Sequence, residues 1–284
     1  MRLTPSVLRH AAVLTAVAAL AVPALPGAAD PPRYHAYYHA FHRGPADVPG
    51  LRTSLVPQGL TYWAARDALI VSYYDTAGGP SRIAIVDRRS GRYIKTLLLR
   101  TTGHVGGLGM TQSGHLWVAT NNKLFRYPAA TLDRGAEART VDSDRTYNVP
   151  ASSFVGVRGN DLWVGQFKRS GTPSAYPYRV DAFGGLHRAG PAFRVPTRSQ
   201  GMAVTDRHFI FSRSFGQDND SQITSVGRGS AGNGPRLTAP NMAEGMVFAG
   251  GEIHVLYESG AKHYAGADYR VRTIHHAPVA ALGG

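Results

Sequence analysis

Five positions recur at a regular spacing, and four of them hold polar side chains that could together form one site. At four of them the next residue is a glycine, and these glycines lie 48, 94 and 44 residues apart. Because 94 is twice 47, a fifth and degenerate copy is expected near residue 154. Amide, hydroxyl and carboxyl groups hydrogen-bond polar ligands, and a carboxyl group can also transfer protons. The five positions hold, in chain order, Gln58, Gly106, Ser153, Gln200 and Glu244.

Each of these positions opens a unit of short predicted strands. A turn and then a run of β-branched or aromatic residues follow within about a dozen residues. Four strands in a unit of about 47 residues, repeated five times, are typical of β-propeller blades. We therefore predict an all-β fold, a five-bladed β-propeller with four-stranded antiparallel blades. The second strands of the five blades are predicted at residues 68–74, 115–119, 161–165, 208–212 and 252–257.

The N-terminal region precedes the repeats and has its own character. Residues 1–29 show the charged start, apolar run and small residues of a signal peptide, so we expect secretion and no transmembrane segment in the mature chain. Residues 30–52 are interpreted as a leader that could supply a strand to close the ring. Either residues 34–41 or residues 53–56 could supply the outer strand that closes the ring. The propeller itself is assigned to residues 53–284.

The innermost strand of each blade should line a central channel. The repeated glycines fit this geometry, because a side chain would be crowded where inner strands converge. The residue before each glycine should then face the channel mouth, and His104 could replace the side chain that Gly106 lacks. Aromatic residues such as Tyr74 and Tyr257 are expected near the rim. The predicted ligand-binding residues are Gln58, His104, Ser153, Gln200, Glu244, Tyr73 and Glu258.

The segment Tyr257-Glu258-Ser259-Gly260-Ala261, together with blades that open on Gln-Gly or Glu-Gly, resembles secreted β-propellers of GC-rich bacteria. These are distantly similar to lactonase-like and NHL-like propellers. The resemblance implies a channel-mouth site. Lactonase-like members hold a divalent metal there through Glu, Asn and Asp side chains. Only Glu244 matches that pattern, so we predict no metal ligand and no cofactor, with calcium as the alternative.

Glu244 and Glu258 are two of four glutamates in the chain. If both reach the channel, they could act as acid and base in hydrolysis, with His104 as a proton carrier. The catalytic residues of such a hydrolase would be Glu244 and His104. The structural alternative is that Glu244 hydrogen-bonds its ring neighbours and Glu258 pairs with an arginine.

Two other clusters have ligand-like spacing. Asp218, Asn219 and Asp220 resemble the start of a calcium loop but lack its central glycine and distal glutamate, so a turn in blade four is predicted. His35, His39 and His42 would share a helical face suited to zinc. Their aromatic-rich segment is instead interpreted as a disordered or strand-forming leader.

The chain is basic, with 31 Lys and Arg against 18 Asp and Glu. The arginines are scattered singly and form no phosphate-tracking stripe, so we predict no nucleic-acid partner. Loose attraction to anionic wall polymers is compatible with this charge. The absence of cysteine excludes disulfides and thiol nucleophiles.

Three functions follow from the predicted mouth. The first is a secreted, monomeric binding module for a small polar ligand, for example a carbohydrate-like molecule or a cell-wall polymer. The second is an extracellular hydrolase, lactonase-like or glycosidase-like, that uses the same funnel. The third is a wall-associated interaction scaffold. The sequence does not decide whether the protein is an enzyme.

Overall fold

The computed structural model describes residues 30–229 and 234–282, and the expected signal peptide lies outside them. The described chain forms five sheets in a ring, which confirms the predicted five-bladed β-propeller. In chain order a 3-10 turn (Pro32–Tyr34) leads into α1 (His35–Ala40) and β1 (His42–Asp47). The first blade contains β2 (Leu55–Trp63), β3 (Ala68–Asp75), β4 (Arg82–Asp87) and β5 (Tyr93–Leu99).

The remaining four blades repeat this meander. Blade two contains β6 (Gly107–Met110), β7 (His115–Thr120), β8 (Lys123–Pro128) and β10 (Arg145–Asn148). Between β8 and β10 the chain forms α2 (Ala129–Arg134) and β9 (Arg139–Val141). Blade three contains β11 (Phe154–Arg158), β12 (Asp161–Gly165), β13 (Ser174–Val180), β14 (Leu186–Arg188) and β15 (Phe193–Arg194). Blade four contains β16 (Ser199–Val204), β17 (His208–Arg213), β18 (Ser221–Gly227) and β19 (Arg236–Ala239). Blade five contains β20 (Ala243–Ala249), β21 (Glu252–Tyr257) and β22 (Thr273–Pro278).

Two strands belong to a blade other than the one that precedes them in the chain. β9 leaves blade two and pairs in parallel with β5, so it becomes a fifth strand of blade one. β1 pairs with β22 and supplies the outer strand of blade five, with His42 opposite His276. The N-terminal and C-terminal strands thus close the ring within one sheet.

The closing strand β1 lies between residues 34–41 and residues 53–56, the two segments predicted to supply it. Residues 35–40 form α1 rather than a strand, so the interpretation of this segment as a disordered or strand-forming leader is wrong. Tyr34, Tyr37 and Phe41 follow a helical spacing and are fully buried against blades four and five. His35 and His39 are exposed on the opposite side of the helix.

The hydrophobic core is divided among the five blade interfaces. One cluster joins Trp63, Ile70 and Ile83 of blade one to Leu108 and Leu116 of blade two, and four similar clusters fill the other interfaces. Successive residues of a strand point to opposite faces, so each strand serves two interfaces. None of the described helices is long and apolar enough to cross a membrane.

The repeated glycines lie where inner strands of adjacent blades approach most closely. A Cβ atom on Gly245 would lie 2.7 Å from the carbonyl carbon of Gly59, and one on Gly59 would lie 2.9 Å from the carbonyl oxygen of Gly106. Gly201 faces the backbone of Met246 in the same way, at 2.7 Å. The degenerate copy differs, because Phe154 points its fully buried ring into the interface between blades three and four. The glycines are therefore required by backbone contact between blades.

Candidate functional site

Bulges in three inner strands aim the predicted ring residues into the channel mouth. In β2, Gln58 and Gly59 together oppose the single residue Ser72 on β3. The same two-to-one register occurs at Gln200 in β16 and at Glu244 in β20. A bulge interrupts the alternation of a strand and redirects a side chain, and bulges are common next to binding sites. In blades two and three the corresponding residues directly precede the inner strand.

These side chains meet at a cavity of about 680 Å³ at one end of the ring. Six of the seven predicted ligand-binding residues line it, three of them from strands and three from loops. A larger cavity of about 870 Å³ between blades three and four is mainly apolar, and no carboxyl group of the described chain lines it. The residues that line the mouth cavity are Gln58, Tyr74, Thr102, Gly103, His104, Val105, Gly106, Thr120, Asn121, Ser152, Ser153, Phe167, Gln200, Glu244, Glu258 and Tyr264.

Tyr73 is the predicted residue that the structure does not bring to the mouth. It is 1% exposed and packs with Leu69 and Val71 in the interface between blades five and one. Strand alternation places its neighbour Tyr74 on the other face, in the cavity. Tyr257, expected near the rim, is also buried, and its hydroxyl donates to Tyr37 at 2.6 Å.

Glu258 lies just after β21, where its backbone N–H donates to the Met242 carbonyl at 3.0 Å. The side-chain amide of Gln58 donates to its carboxyl group and also to the Pro57 carbonyl, at 3.0 Å. The expected arginine partner is replaced by this amide. Burial raises the pKa of the Glu258 carboxyl to about 7, although hydrogen bonds from Gln58 and Tyr264 act in the opposite direction.

Glu244 is 4% exposed and receives a hydrogen bond of 3.2 Å from the Ser214 hydroxyl. Burial raises the pKa of its carboxyl well above the usual value, and the nearby Glu258 carboxylate raises it further. Hydrogen bonds from Ser214 and Gln200 favour the charged form but do not reverse this effect. The two glutamates therefore retain a proton between them near neutral pH and titrate as a pair.

Aromatic side chains form one wall of the cavity. The hydroxyl groups of Tyr74 and Tyr264 lie 3.3 Å apart. The Tyr74 ring contacts the His104 ring, with 4.3 Å between centroids, and His104 itself is exposed at the rim. Phe167 lines the same cavity. The mouth thus combines a carboxyl pair, three amides and several aromatic faces.

The channel mouth offers few side chains that could ligate the calcium ion considered as an alternative. No three His, Asp or Glu side chains lie together in a way that could hold a metal ion within residues 30–229 and 234–282. A divalent cation at the mouth would depend on Glu244 and Glu258, supplemented by amide oxygens of Gln58 and Gln200. Asp220 of the calcium-like segment instead accepts a hydrogen bond of 2.6 Å from the Tyr34 hydroxyl, in the turn between β17 and β18.

Sequence reasoning missed Ser214, Tyr264 and Phe167. One sequence feature could have indicated how adjacent blades are connected, namely the serine that recurs opposite the bulge in blades one and four. The Ser72 hydroxyl accepts from the Gly59 N–H at 2.9 Å and donates to the Val105 carbonyl at 2.7 Å. Ser212 in blade four donates in the same way to the main-chain carbonyl of Glu244. These serines connect the ring positions of adjacent blades.

Comparison with solved structures supports the fold. The chain is similar to the glutaminyl cyclase of Myxococcus xanthus with a TM-score of 0.53 and 11% identity, over 77% of this chain and 91% of that enzyme. A luciferin-regenerating enzyme matches with a TM-score of 0.46 and 10% identity, over 82% of this chain and 94% of the other. A gluconolactonase from Xanthomonas campestris matches with a TM-score of 0.44 and 13% identity, over 80% and 77%.

No protein-family model matches the chain, and no curated protein matches its sequence. The expected distant similarity to propeller-type proteins is confirmed as a likeness of fold. At these identities the likeness carries no activity or substrate to this chain.

Proposed function

We propose that this protein binds a small polar ligand in the channel mouth, over Gln58, His104, Ser153, Gln200, Glu244 and Glu258. The observation that carries this proposal is the pair of carboxyl groups, buried on Glu244 and half-buried on Glu258, whose described partners are amides and hydroxyls rather than arginines. Burying a carboxyl group without a cationic partner lowers stability. Groups with raised pKa values in an open cavity are therefore candidates for ligand binding.

The proposed setting is extracellular. The signal-peptide pattern of residues 1–29 supports export, and the scattered arginines favour contact with anionic wall polymers over nucleic acid. The ligand would be a small molecule or the end of a wall polymer that fits the cavity of about 680 Å³. We propose a monomer, because the ring closes within one chain through β1 and β22.

Hydrolysis in the same mouth is the second candidate, and the pKa of about 7 for Glu258 is the observation that favours it. A group that titrates near neutral pH can accept a proton from water as the water oxygen attacks the substrate. The protonated Glu244 could then donate its proton to the leaving oxygen. His104 at the rim would exchange protons with solvent.

Ligand binding can be tested by saturation-transfer NMR with a panel of monosaccharides, polyols and amino acids at millimolar concentration. Binding to the wild-type protein should weaken at least about tenfold in Glu244→Gln and in Gln200→Ala. Glu137→Gln is the matched control, because Glu137 is exposed and bonds Tyr93 outside the mouth. If no panel member binds, or if binding survives both mouth substitutions, the proposal is wrong.

Hydrolysis needs a separate measurement. Chromogenic p-nitrophenyl glycosides and small lactones would be incubated with the wild-type protein and with Glu258→Gln. Turnover that disappears in Glu258→Gln but persists in Glu137→Gln supports the enzyme. Binding without turnover supports the binding module alone.

A further inference from the structure

We propose that the ligand of the channel mouth carries an ammonium group, which binds between the carboxyl groups of Glu244 and Glu258 beside the aromatic wall of Tyr74 and Tyr264. This inference rests on the proposed function, and it adds the chemical class of the ligand.

The first support is the local sign of charge. The chain as a whole has a formal net charge of +13. In contrast, no Lys or Arg is among the described residues that line the mouth cavity, whereas two of the four glutamates in the chain are. A cavity lined by acidic groups raises the local concentration of cationic ligands, even when the protein as a whole is basic. The mouth is therefore selective for cations.

The second support is that carboxylates elsewhere in the described chain pair with arginine, whereas Glu244 and Glu258 do not. Asp67 pairs with Arg88 at 2.6 Å, Asp144 with Arg126 at 2.5 Å and Asp206 with Arg158 at 2.6 Å. An abundant supply of arginine thus neutralises carboxylates on the blade surfaces. Among the described ion pairs, none includes the two mouth glutamates. The countercharge at this site is left for a ligand to supply.

The third support is the chemistry of the cavity wall, which distinguishes an organic ammonium from a divalent metal. A hard divalent cation is bound by six or more oxygen atoms in most protein sites. Only two anionic side chains of the described chain line the mouth, the other side-chain oxygens belong to neutral amides and hydroxyls, and the ring of Phe167 presents no oxygen. An ammonium group is satisfied by a few carboxylate or hydroxyl acceptors and is attracted to aromatic faces. Tyr74 and Tyr264 present both hydroxyl groups and rings.

Binding of an ammonium group should displace the proton that the pair retains. The carboxyl pKa values are raised by burial and by mutual repulsion, and a cation between the groups opposes both effects. Affinity should therefore increase as the pH rises from 5 to 8, with proton release to the buffer. The other titratable groups that face the pair are Tyr74, Tyr264 and His104. Both tyrosines remain neutral in this range because burial raises their pKa values.

The experiment uses pairs of molecules that differ in one group, an ammonium against a hydroxyl. Glucosamine is compared with glucose, and ethanolamine with ethylene glycol, by calorimetry and saturation-transfer NMR on the full mature chain at pH 7, where both amines are mainly protonated. The ammonium member of at least one pair should bind about tenfold or more tightly than its hydroxyl partner. The preference should disappear in Glu244→Gln and Glu258→Gln and persist in Glu137→Gln. In buffers of different ionisation enthalpy, the measured heat should reveal proton release.

The other outcomes separate this inference from the proposed function. If both members of a pair bind equally and binding depends on Glu244, the ammonium inference is wrong while the polar-ligand site stands. If no molecule of either kind binds, both are wrong. Calcium that binds in place of the ammonium compounds and depends on Glu258 identifies a metal site and also overturns the inference. Tyr74→Leu provides a second variant, which keeps both carboxyl groups and should weaken ammonium binding by loss of the aromatic face.

Discussion

The side-chain amide of Gln58 donates a hydrogen bond to the carboxyl group of Glu258. Gln58 belongs to the first blade and Glu258 to the last, so the bond crosses the interface at which the ring closes. It forms because a bulge in β2 turns Gln58 towards the channel, while Glu258 follows directly after β21. This one hydrogen bond therefore links the closure of the propeller to the ionisation of the Glu258 carboxyl group.

Replacing Gln58 should change the titration of Glu258. In Gln58→Leu the carboxylate loses the hydrogen bond that favours its charged form, so the pKa of Glu258 should rise above about 7. Carboxyl ¹³C NMR can follow this directly, because the chain has only four glutamates to assign. The control substitution Glu137→Gln, outside the mouth, should leave the Glu258 titration unchanged. An unchanged Glu258 titration would contradict the proposed role of the amide.

The stability of the protein should fall between pH 5 and pH 8 through the mouth glutamates. Their folded-state pKa values are raised, so the native state binds more protons than the unfolded state in this window. The free energy of unfolding then decreases as the pH rises. The shift of Glu258 from 4.5 to about 7 corresponds to at most about 3 kcal/mol.

Comparison with Glu258→Gln isolates this effect. His254, whose pKa is lowered to about 4 by burial, has the opposite pH dependence below about pH 6.5, but it is common to both proteins. Urea denaturation at several pH values should show the variant gaining stability relative to the wild type as the pH rises. Parallel curves for the two proteins would contradict the buried, raised-pKa state.

The sequence predicted the blades because their signal is local and repeated. The glycines and the strands that follow them recur in each unit, so the ring positions of Gln58, Gln200 and Glu244 could be named before their contacts were known. The sequence did not reveal in the same way which of the adjacent residues Tyr73 and Tyr74 points into the cavity. The bulge at Gln58 shifts the register of β2 against β3. A register shift of one residue cannot be recognised from the residue types alone.

The bounds of the closing strand were predicted wrongly for a different reason, although β1 lies within the 30–52 leader that was expected to be able to supply it. The aromatic spacing of Tyr34, Tyr37 and Phe41 fits a helix, but the short segment is also rich in residues that favour strands. Only packing against blades four and five decides between these forms. Similarly, β9 joins blade one through a parallel pairing with β5 that passes over β6, β7 and β8 in the chain, and long-range pairings of this kind leave no periodic signal.

The N-terminal helix should contribute strongly to stability. Tyr37 is fully buried, and its hydroxyl lies 3.0 Å from the His275 ring nitrogen. Tyr37→Ala would leave a cavity and unpaired polar groups, so we expect a loss of about 3–5 kcal/mol. Thermal and urea denaturation would measure it. His39→Ala, on the exposed side of the same helix, should change stability by less than about 0.5 kcal/mol. Equal effects would mean that the helix does not pack as described.

Contact between inner strands should make Gly245 intolerant of any side chain. In Gly245→Ala the new Cβ would lie 2.7 Å from the Gly59 carbonyl carbon and 2.9 Å from the Gln58 carbonyl oxygen. Because these are backbone atoms of the adjacent blade, relief requires the blades to separate, and we expect a loss of about 2 kcal/mol or more. The matched control is Gly266→Ala, since no atom lies within 4 Å of a Cβ there and its φ is not positive. Urea denaturation of both variants measures the difference. A separation of blades one and five would also move Gln58 away from Glu258, so Gly245→Ala should shift the Glu258 titration while Gly266→Ala leaves it unchanged.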